Sequence, residues 1–90
     1  MREQAKFPCP CCGYYTLANK PPGTFAICPV CFWEDDRVQF YNPDYYGGAN
    51  RTSLNEARTN YQAFGYAKER SKEYVRPPME DEYPPGGRTP

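Results

Sequence analysis

The chain has 90 residues, with 11 acidic side chains, 11 basic side chains and no histidine. This length allows one small domain, and the balanced charge lacks the positive field of a protein that mainly grips phosphate backbones. Without histidine, imidazole metal ligands, a histidine general base and Ser-His-Asp or Cys-His triads are excluded. No apolar run approaches the ~18–20 residues that span a bilayer, so we expect a soluble, cytoplasmic protein.

The first region, residues 7–33, contains all five cysteines. Its two halves, residues 7–17 and 24–33, are similar enough to indicate a duplicated unit. Each half predicts a strand, a tight cysteine turn and a second strand. Residues 18–23, between the halves, are rich in turn formers and cannot continue a strand.

The cysteine spacing in this region is typical of a four-cysteine metal site. Cys9 and Cys12 are separated by two residues, fifteen residues follow, and Cys28 and Cys31 are again separated by two. This spacing predicts one structural zinc ion held by these four thiolates, with no open coordination position for water or substrate. Iron is the alternative, because four thiolates in a tetrahedron accept either metal.

Other uses of these cysteines are disfavoured. The redox poise of the cytosol opposes a disulfide pair. A redox enzyme with a CxxC motif usually has a βαβ setting, which this sequence lacks. Pro10 and Pro29, each directly after a first cysteine, help to form the turns, and Gly13 permits a left-handed residue.

Cys11 is the fifth cysteine. We interpret it first as a small side chain that fills the inside of the first turn, because free cysteine is usually buried. The alternative is a second-choice metal ligand or a reactive thiol beside the metal.

The second region, residues 34–52, opens on Glu34, Asp35 and Asp36 and predicts an irregular surface loop. The third region predicts a helix from Ser53 to Phe64, since residues 53–56 form a capping box and Gly65 can end the helix in the left-handed conformation. A second, shorter helix is predicted over about residues 66–74.

The domain is expected to occupy residues 1–78, followed over residues 79–90 by a Pro/Gly-rich tail that is extended or disordered. The predicted fold is a small metal-stabilised α+β domain in which one or two helices pack on two β-hairpins that carry the cysteine turns. The expected core lies between the helix stripe and five residues of the first two regions. The stripe is Leu54, Ala57, Tyr61 and Phe64, and its expected partners are Phe7, Phe25, Ile27, Trp33 and Phe40.

Three segments occur together and in order: CPCC at residues 9–12, CPVCFWED at residues 28–35 and GGAN at residues 47–50. This combination resembles the bacterial cysteine-rich CPCC family over about residues 7–78. The two turns are also similar to those of rubredoxin and zinc ribbons. The family resemblance implies the same four ligands and a small protein, and some members look like immunity proteins encoded beside secreted toxins.

Three functions follow as hypotheses. The first is a zinc-stabilised module that recognises a protein partner, such as a toxin that it neutralises, with the acidic residues 34–36 and Asp44 facing a basic cleft. The second is a nucleic-acid-binding zinc ribbon, although the neutral net charge argues against it. The third is a rubredoxin-like iron protein for electron transfer. We expect no enzymatic activity, because no positioned acid and base pair is evident. The basic residues of the second hypothesis are Arg51, Arg58, Lys68, Arg70, Lys72 and Arg76.

Overall fold

A computed structural model of the chain describes residues 6–84. It shows a small α+β domain, in agreement with the predicted class. None of the helices in this part of the chain is long and apolar enough to cross a membrane. In chain order the elements are strands β1 (Phe7–Pro8) and β2 (Tyr15–Leu17), helices α1 (Arg37–Tyr41) and α2 (Leu54–Phe64), and 3₁₀ turns at Glu69–Ser71 and Glu80–Glu82.

The strands form one antiparallel hairpin rather than the two that the sequence predicts. β1 and β2 pair around the first cysteine turn, with Phe7 opposite Leu17. Around the second turn, within the described chain, there is no second pair of regular strands but an isolated bridge between Ile27 and Glu34. Beside the bridge, the amide of Phe25 donates to the carbonyl of Asp35 at 3.0 Å and the amide of Asp35 donates to that of Ala26 at 2.9 Å.

Helix α2 confirms the predicted start and end. The hydroxyl of Ser53 accepts a hydrogen bond of 3.0 Å from the amide of Glu56. Gly65 ends the helix with a left-handed φ of 88°. The carboxylate of Glu56 accepts a hydrogen bond from the Tyr46 hydroxyl rather than completing the capping box at Ser53.

The second region is not an irregular loop, because α1 lies within it. The carboxylate of Asp36 caps α1 by accepting a hydrogen bond of 3.1 Å from the amide of Gln39. Its other oxygen accepts a hydrogen bond of 2.9 Å from the amide of Ala49. Asp36 therefore joins the start of α1 to the GGAN segment.

Gln39 and Asn50 organise the rest of this region from inside. The Gln39 side-chain amide donates to the carbonyls of Tyr45 and Thr52, at 2.8 and 2.6 Å, and its oxygen accepts from Asn50. The Asn50 side chain in turn pairs with both backbone groups of Glu34, at 2.7 and 2.8 Å. The segment that looks like an exposed loop is thus held by a buried polar network.

The helix predicted over about residues 66–74 is reduced to the 3₁₀ turn Glu69–Ser71. Tertiary hydrogen bonds compete for the backbone groups there. The amide of Ala67 donates to the carbonyl of Cys31 at 2.9 Å, and the Asn60 side chain donates to the carbonyl of Ala67.

The division of the chain after residue 78 stays a prediction, but residues 79–84 contact the domain. Glu82 is 4% exposed and forms a bidentate ion pair with Arg76. The two guanidinium nitrogens Nη1 and Nη2 lie 2.9 and 2.8 Å from the carboxylate oxygens Oε1 and Oε2. The ring of Tyr83 packs edge-on against Tyr14. Residues 85–90 of the predicted tail lie outside the described part.

The hydrophobic core is centred on the cysteines and not on the aromatic residues. Trp33, Leu54 and Ala57 are buried as predicted, and Tyr61 packs against their cluster. Phe7 and Phe40 are half-buried. The prediction was wrong for three residues that are exposed by 65%, 48% and 64%, namely Phe25, Ile27 and Phe64.

Local geometry explains this difference. In an extended segment neighbouring side chains point to opposite faces, so the burial of Cys28 turns Ile27 outward. Phe64 is the last residue of α2, beyond the part of the helix that covers the core, and its ring stacks on Tyr66.

Candidate metal centre

The first cysteine turn is closed by two backbone hydrogen bonds. The amide of Gly13 donates to the carbonyl of Cys9 at 2.8 Å, and the amide of Cys9 donates to the carbonyl of Tyr14 at 2.9 Å. Gly13 has a φ of 83°, as the sequence predicts.

The second turn repeats this pattern at the same offsets. The amide of Phe32 donates to the carbonyl of Cys28 at 2.7 Å, and the amide of Cys28 donates to the carbonyl of Trp33 at 2.9 Å. Phe32 occupies the position equivalent to Gly13 and has a φ of 70°. The repeated bonds agree with a duplicated turn, although the described segments beside the second turn pair through an isolated bridge rather than through regular strands.

These turns bring together the sulfur atoms of Cys9, Cys12, Cys28 and Cys31, all within 4.8 Å of one another. The Sγ atoms of Cys9 and Cys31 are 3.7 Å apart, and so are those of Cys12 and Cys28. A tetrahedron with metal–sulfur bonds of about 2.3 Å has sulfur–sulfur edges of about 3.8 Å. The four residues can therefore hold one metal ion with little movement, whereas a disulfide would require the sulfurs to approach to about 2.05 Å.

Two of the sulfurs accept hydrogen bonds from polar groups around them. The backbone amide of Cys11 donates to Sγ of Cys9 at 3.4 Å, and the hydroxyl of Thr16 donates to Sγ of Cys28 at 3.1 Å. The pKa of Cys28 is lowered, first by the hydrogen bond from Cys12 and also by that from Thr16. The Thr16 contact was not predicted, because nothing in the sequence distinguishes this threonine from the others.

The other thiols show why a cation is needed. The pKa of Cys31 is raised, chiefly by its hydrogen bond with Cys11, and the pKa of Cys12 is raised, chiefly by Cys28. Four sulfurs this close cannot all carry negative charge unless a cation offsets their repulsion. A metal ion would supply that charge, and its binding would release protons.

Cys11 lies outside the group of four. Its side chain is 6% exposed and belongs to the buried cluster that contains Val30, Trp33 and Leu54. This position agrees with the interpretation of Cys11 as a small buried side chain that fills the turn.

Contacts from the rest of the chain hold both turns in place. The Arg58 guanidinium of α2 donates to the carbonyl of Pro10 at 3.0 Å. The amide of Arg76 donates to the carbonyl of Pro29 at 3.1 Å. The geometry of the sulfurs therefore depends on α2 and on the C-terminal segment.

The acidic residues proposed to face a partner are divided between buried and exposed positions. Asp35 and Asp36 are 1% and 9% exposed, so neither presents a charged surface. One Asp35 oxygen accepts hydrogen bonds from the amide and hydroxyl of Thr24, at 3.0 and 2.7 Å. Asp44 is exposed, and it accepts a hydrogen bond from the Asn55 side chain. Asp35 and Asp36 therefore serve the fold, which corrects the expectation for these two residues, whereas a recognition role for Glu34 and Asp44 stays a prediction.

Five of the six basic residues suggested for nucleic-acid binding divide into two groups, and the sixth, Lys72, is exposed near Arg70. Arg58 and Arg76 are used within the fold, in the contacts described above. Arg51, Lys68 and Arg70 line one groove beside α2. Two of the six side chains are thus engaged within the fold, and nucleic-acid binding stays a prediction.

A search of curated proteins finds no match to this chain. A family model described as cysteine-rich CPCC matches residues 7–82, which include both cysteine turns, both helices and the Arg76–Glu82 ion pair. The chain belongs to the cysteine-rich CPCC family.

Proposed function

We propose that this protein is a structural-zinc domain that recognises a protein partner. The observation that carries the metal assignment is the approach of four cysteine sulfurs at the edge length of a metal tetrathiolate. Because all four positions are filled by the chain, the metal supports the fold and does not activate water or substrate.

The composition of the core supports a structural role for the metal. Three of the four proposed ligands, Cys9, Cys28 and Cys31, are buried members of the core, and Cys12 packs against it. Leu54 and Ala57 of α2 belong to the same cluster. With two strands of two and three residues, the sheet alone buries little apolar surface. Metal binding then contributes directly to folding, by about 10–16 kcal/mol if the site behaves like those of zinc-finger peptides.

The metal assignment is tested by paired cysteine variants. Cys28→Ser removes a ligand and is expected to abolish stoichiometric zinc binding and the cooperative unfolding transition. Cys11→Ser, the matched control, is expected to retain one zinc per chain and a cooperative transition. A folded Cys28→Ser protein with one bound metal would refute the four-ligand assignment.

A separate measurement on the parent protein distinguishes zinc from iron. Ultraviolet and visible spectra, together with elemental analysis of protein expressed with both metals supplied, report which ion is retained. Zinc supports the structural role, whereas iron with reversible reduction supports electron transfer instead.

The recognition role is supported by exposed aromatic side chains on a cross-linked scaffold. Phe25, Tyr41 and Tyr74 are 65%, 59% and 64% exposed, and such rings are enriched at protein interfaces. Neutralisation of a bacterial toxin, which the family resemblance implies, is the most specific form of this proposal. Since Asp35 and Asp36 are buried, we expect aromatic contacts rather than these acids to provide the affinity.

This role is tested by co-expression with the product of the gene next to this one. Protection of cells and a stable complex support the proposal, and Phe25→Ser is expected to weaken both while leaving zinc content unchanged. Ala18→Ser, at another exposed position, is the control. Absence of both protection and complex formation would contradict toxin neutralisation.

A further inference from the structure

A groove of about 840 Å³ lies between α2 and the segment that follows it. Its volume is within the range of about 300–1,000 Å³ for small-molecule sites. The cysteine turns do not line it, so the metal proposal leaves it unexplained. Among its lining residues are three cations and three aromatic residues, namely Arg51, Lys68, Arg70, Tyr46, Phe64 and Tyr66.

The cations of the groove are close to one another and poorly compensated. Burial lowers the pKa of Lys68, and the charges of Arg70 and Arg51 lower it further, opposed by Glu34. Within residues 6–84, neither arginine has an ion-pair partner. Like charges held together in this way are stabilised by a bound anion.

The position of Lys68 is fixed. Its Nζ atom donates a hydrogen bond to the carbonyl of Asn50, which belongs to the buried polar network. Arg51 follows Asn50 directly and has a left-handed φ of 58°, which a non-glycine residue adopts at a cost. The polar network thus places two of the three cations at the groove.

The carboxylates that line the groove do not neutralise its three cations. Glu56 and Glu69 also line it. The Glu56 carboxylate is occupied by the Tyr46 hydroxyl. Neither glutamate is among the charges that act on Lys68, where two cations face one anion, Glu34.

The aromatic part of the groove offers a stacking surface. The rings of Phe64 and Tyr66 are stacked with centroids 5.6 Å apart and planes 15° apart. Phe64 is 64% exposed, so its outer face is open. A planar heteroaromatic ring can extend this stack, as bases do on aromatic side chains of proteins.

We propose that this groove binds a mononucleotide, with its phosphates at Arg51, Lys68 and Arg70 and its base against Phe64. A nucleotide carries both required groups, a polyanion and a planar ring, in one small molecule. The proposal goes beyond the structural-metal function and requires neither a protein partner nor a particular metal.

The experiment is an NMR titration of the full-length, metal-loaded protein with ATP, adenosine and inorganic pyrophosphate as separate probes. ATP is expected to give saturable shifts at residues 51 and 64–70. Adenosine and pyrophosphate each supply half of the contacts, so each is expected to bind at least roughly tenfold more weakly than ATP.

Single substitutions test which groove residues contact the nucleotide. Arg70→Gln and Arg51→Gly are each expected to weaken ATP binding by roughly tenfold, as the loss of a hydrogen bond to a charged group predicts. Arg51→Gly also relieves the left-handed conformation, so lost binding would not reflect unfolding. Phe64→Ala is expected to weaken ATP binding and leave pyrophosphate binding unchanged. Lys72→Gln, an exposed cation of the same segment that does not line the groove, is the control and is expected to change affinity less than about twofold.

Three outcomes would overturn the proposal. Absence of saturable shifts with ATP would do so, and so would equal weakening by Lys72→Gln and Arg70→Gln, which would indicate non-specific charge attraction. Binding of an oligonucleotide that strengthens with its length, without saturable ATP binding, would replace the mononucleotide by a nucleic-acid strand.

Discussion

The two glycines Gly13 and Gly48 are required for different reasons. Gly13 has a φ of 83° but open space where a Cβ would lie. Gly48 does not have a left-handed φ, but a Cβ there would lie 2.6 Å from the Gln39 side chain. The first position could be inferred from the sequence, because glycine commonly closes such turns. The second depends on Gln39, whose position the sequence did not reveal.

We therefore predict unequal effects of alanine at these sites. Gly13→Ala should cost about 1 kcal/mol, the price of a left-handed alanine alone. Gly48→Ala should cost more than about 2 kcal/mol, because it displaces Gln39 from its buried hydrogen bonds. Denaturant unfolding of the zinc-loaded proteins measures both. Equal losses would contradict the importance of the Gln39 network.

Thr16 gives a prediction for the metal site itself. Thr16→Val keeps the side-chain shape and removes the hydroxyl that donates to Sγ of Cys28. Loss of such an outer contact typically lowers metal affinity by about 10–100-fold. Competition with a zinc chelator measures this change, with Thr59→Val on the exposed face of α2 as the control. Unchanged affinity would show that the hydroxyl does not stabilise the thiolate.

At the scale of elements, the sequence identified α2 and the first hairpin but missed α1 and the closure of the C-terminal segment. α2 has a strong local signal, since Ser53 caps it and Gly65 ends it. α1 has five residues, and its buried member is Gln39, so hydrophobic periodicity could not reveal it. The 3₁₀ turn Glu80–Glu82 depends on Arg76, a contact made only after the chain has folded.

The Arg76–Glu82 ion pair predicts a pH-dependent contribution to stability. The hydrogen bonds from Arg76 hold the pKa of Glu82 below its ordinary value of 4.5. Because the folded-state pKa is the lower one, the contribution is complete above about pH 4.5 and is lost as the pH falls through the folded value. Glu82→Gln should cost about 1 kcal/mol at neutral pH, a modest value because solvent screens the partly exposed Arg76.

Unfolding of the parent and Glu82→Gln proteins at a series of pH values tests this contribution. The difference in the free energy of unfolding should decrease toward zero on acidification below about pH 4. The double variant with Arg76→Met should be no less stable than the less stable single variant. A difference that stays constant with pH would contradict the ion pair.

At the scale of the whole molecule, the four cysteines were the most predictable feature and the aromatic residues the least. Cysteine spacing is local and limits the chemistry to a few choices. The exposure of Phe25, Ile27 and Phe64 was not predicted, because the sequence does not reveal which face of each segment meets the core. The cysteines occupy the core positions that these residues were expected to fill. The acidic run resembles a surface in the sequence, but the carboxylates of Asp35 and Asp36 accept hydrogen bonds from within the domain, donated by Thr24, Gln39 and Ala49.

Metal removal should affect the whole domain. A strong chelator is expected to abolish the cooperative unfolding transition, since the core is built around the cysteines proposed to hold the metal. Acidification should have the same effect, because protons compete with the metal for the thiolates and metal-linked stability is lost as the pH falls. Circular dichroism measures both, and restored zinc at neutral pH should recover the fold. A chelated protein that unfolds as cooperatively as the metal-loaded one would contradict a structural role.

The most direct test of the central claim is the intact mass of the purified protein, measured under native and then denaturing conditions with elemental analysis. We expect one zinc ion per chain in the native state, and five reduced cysteines after denaturation. A native protein that contains a disulfide and no metal would contradict this expectation.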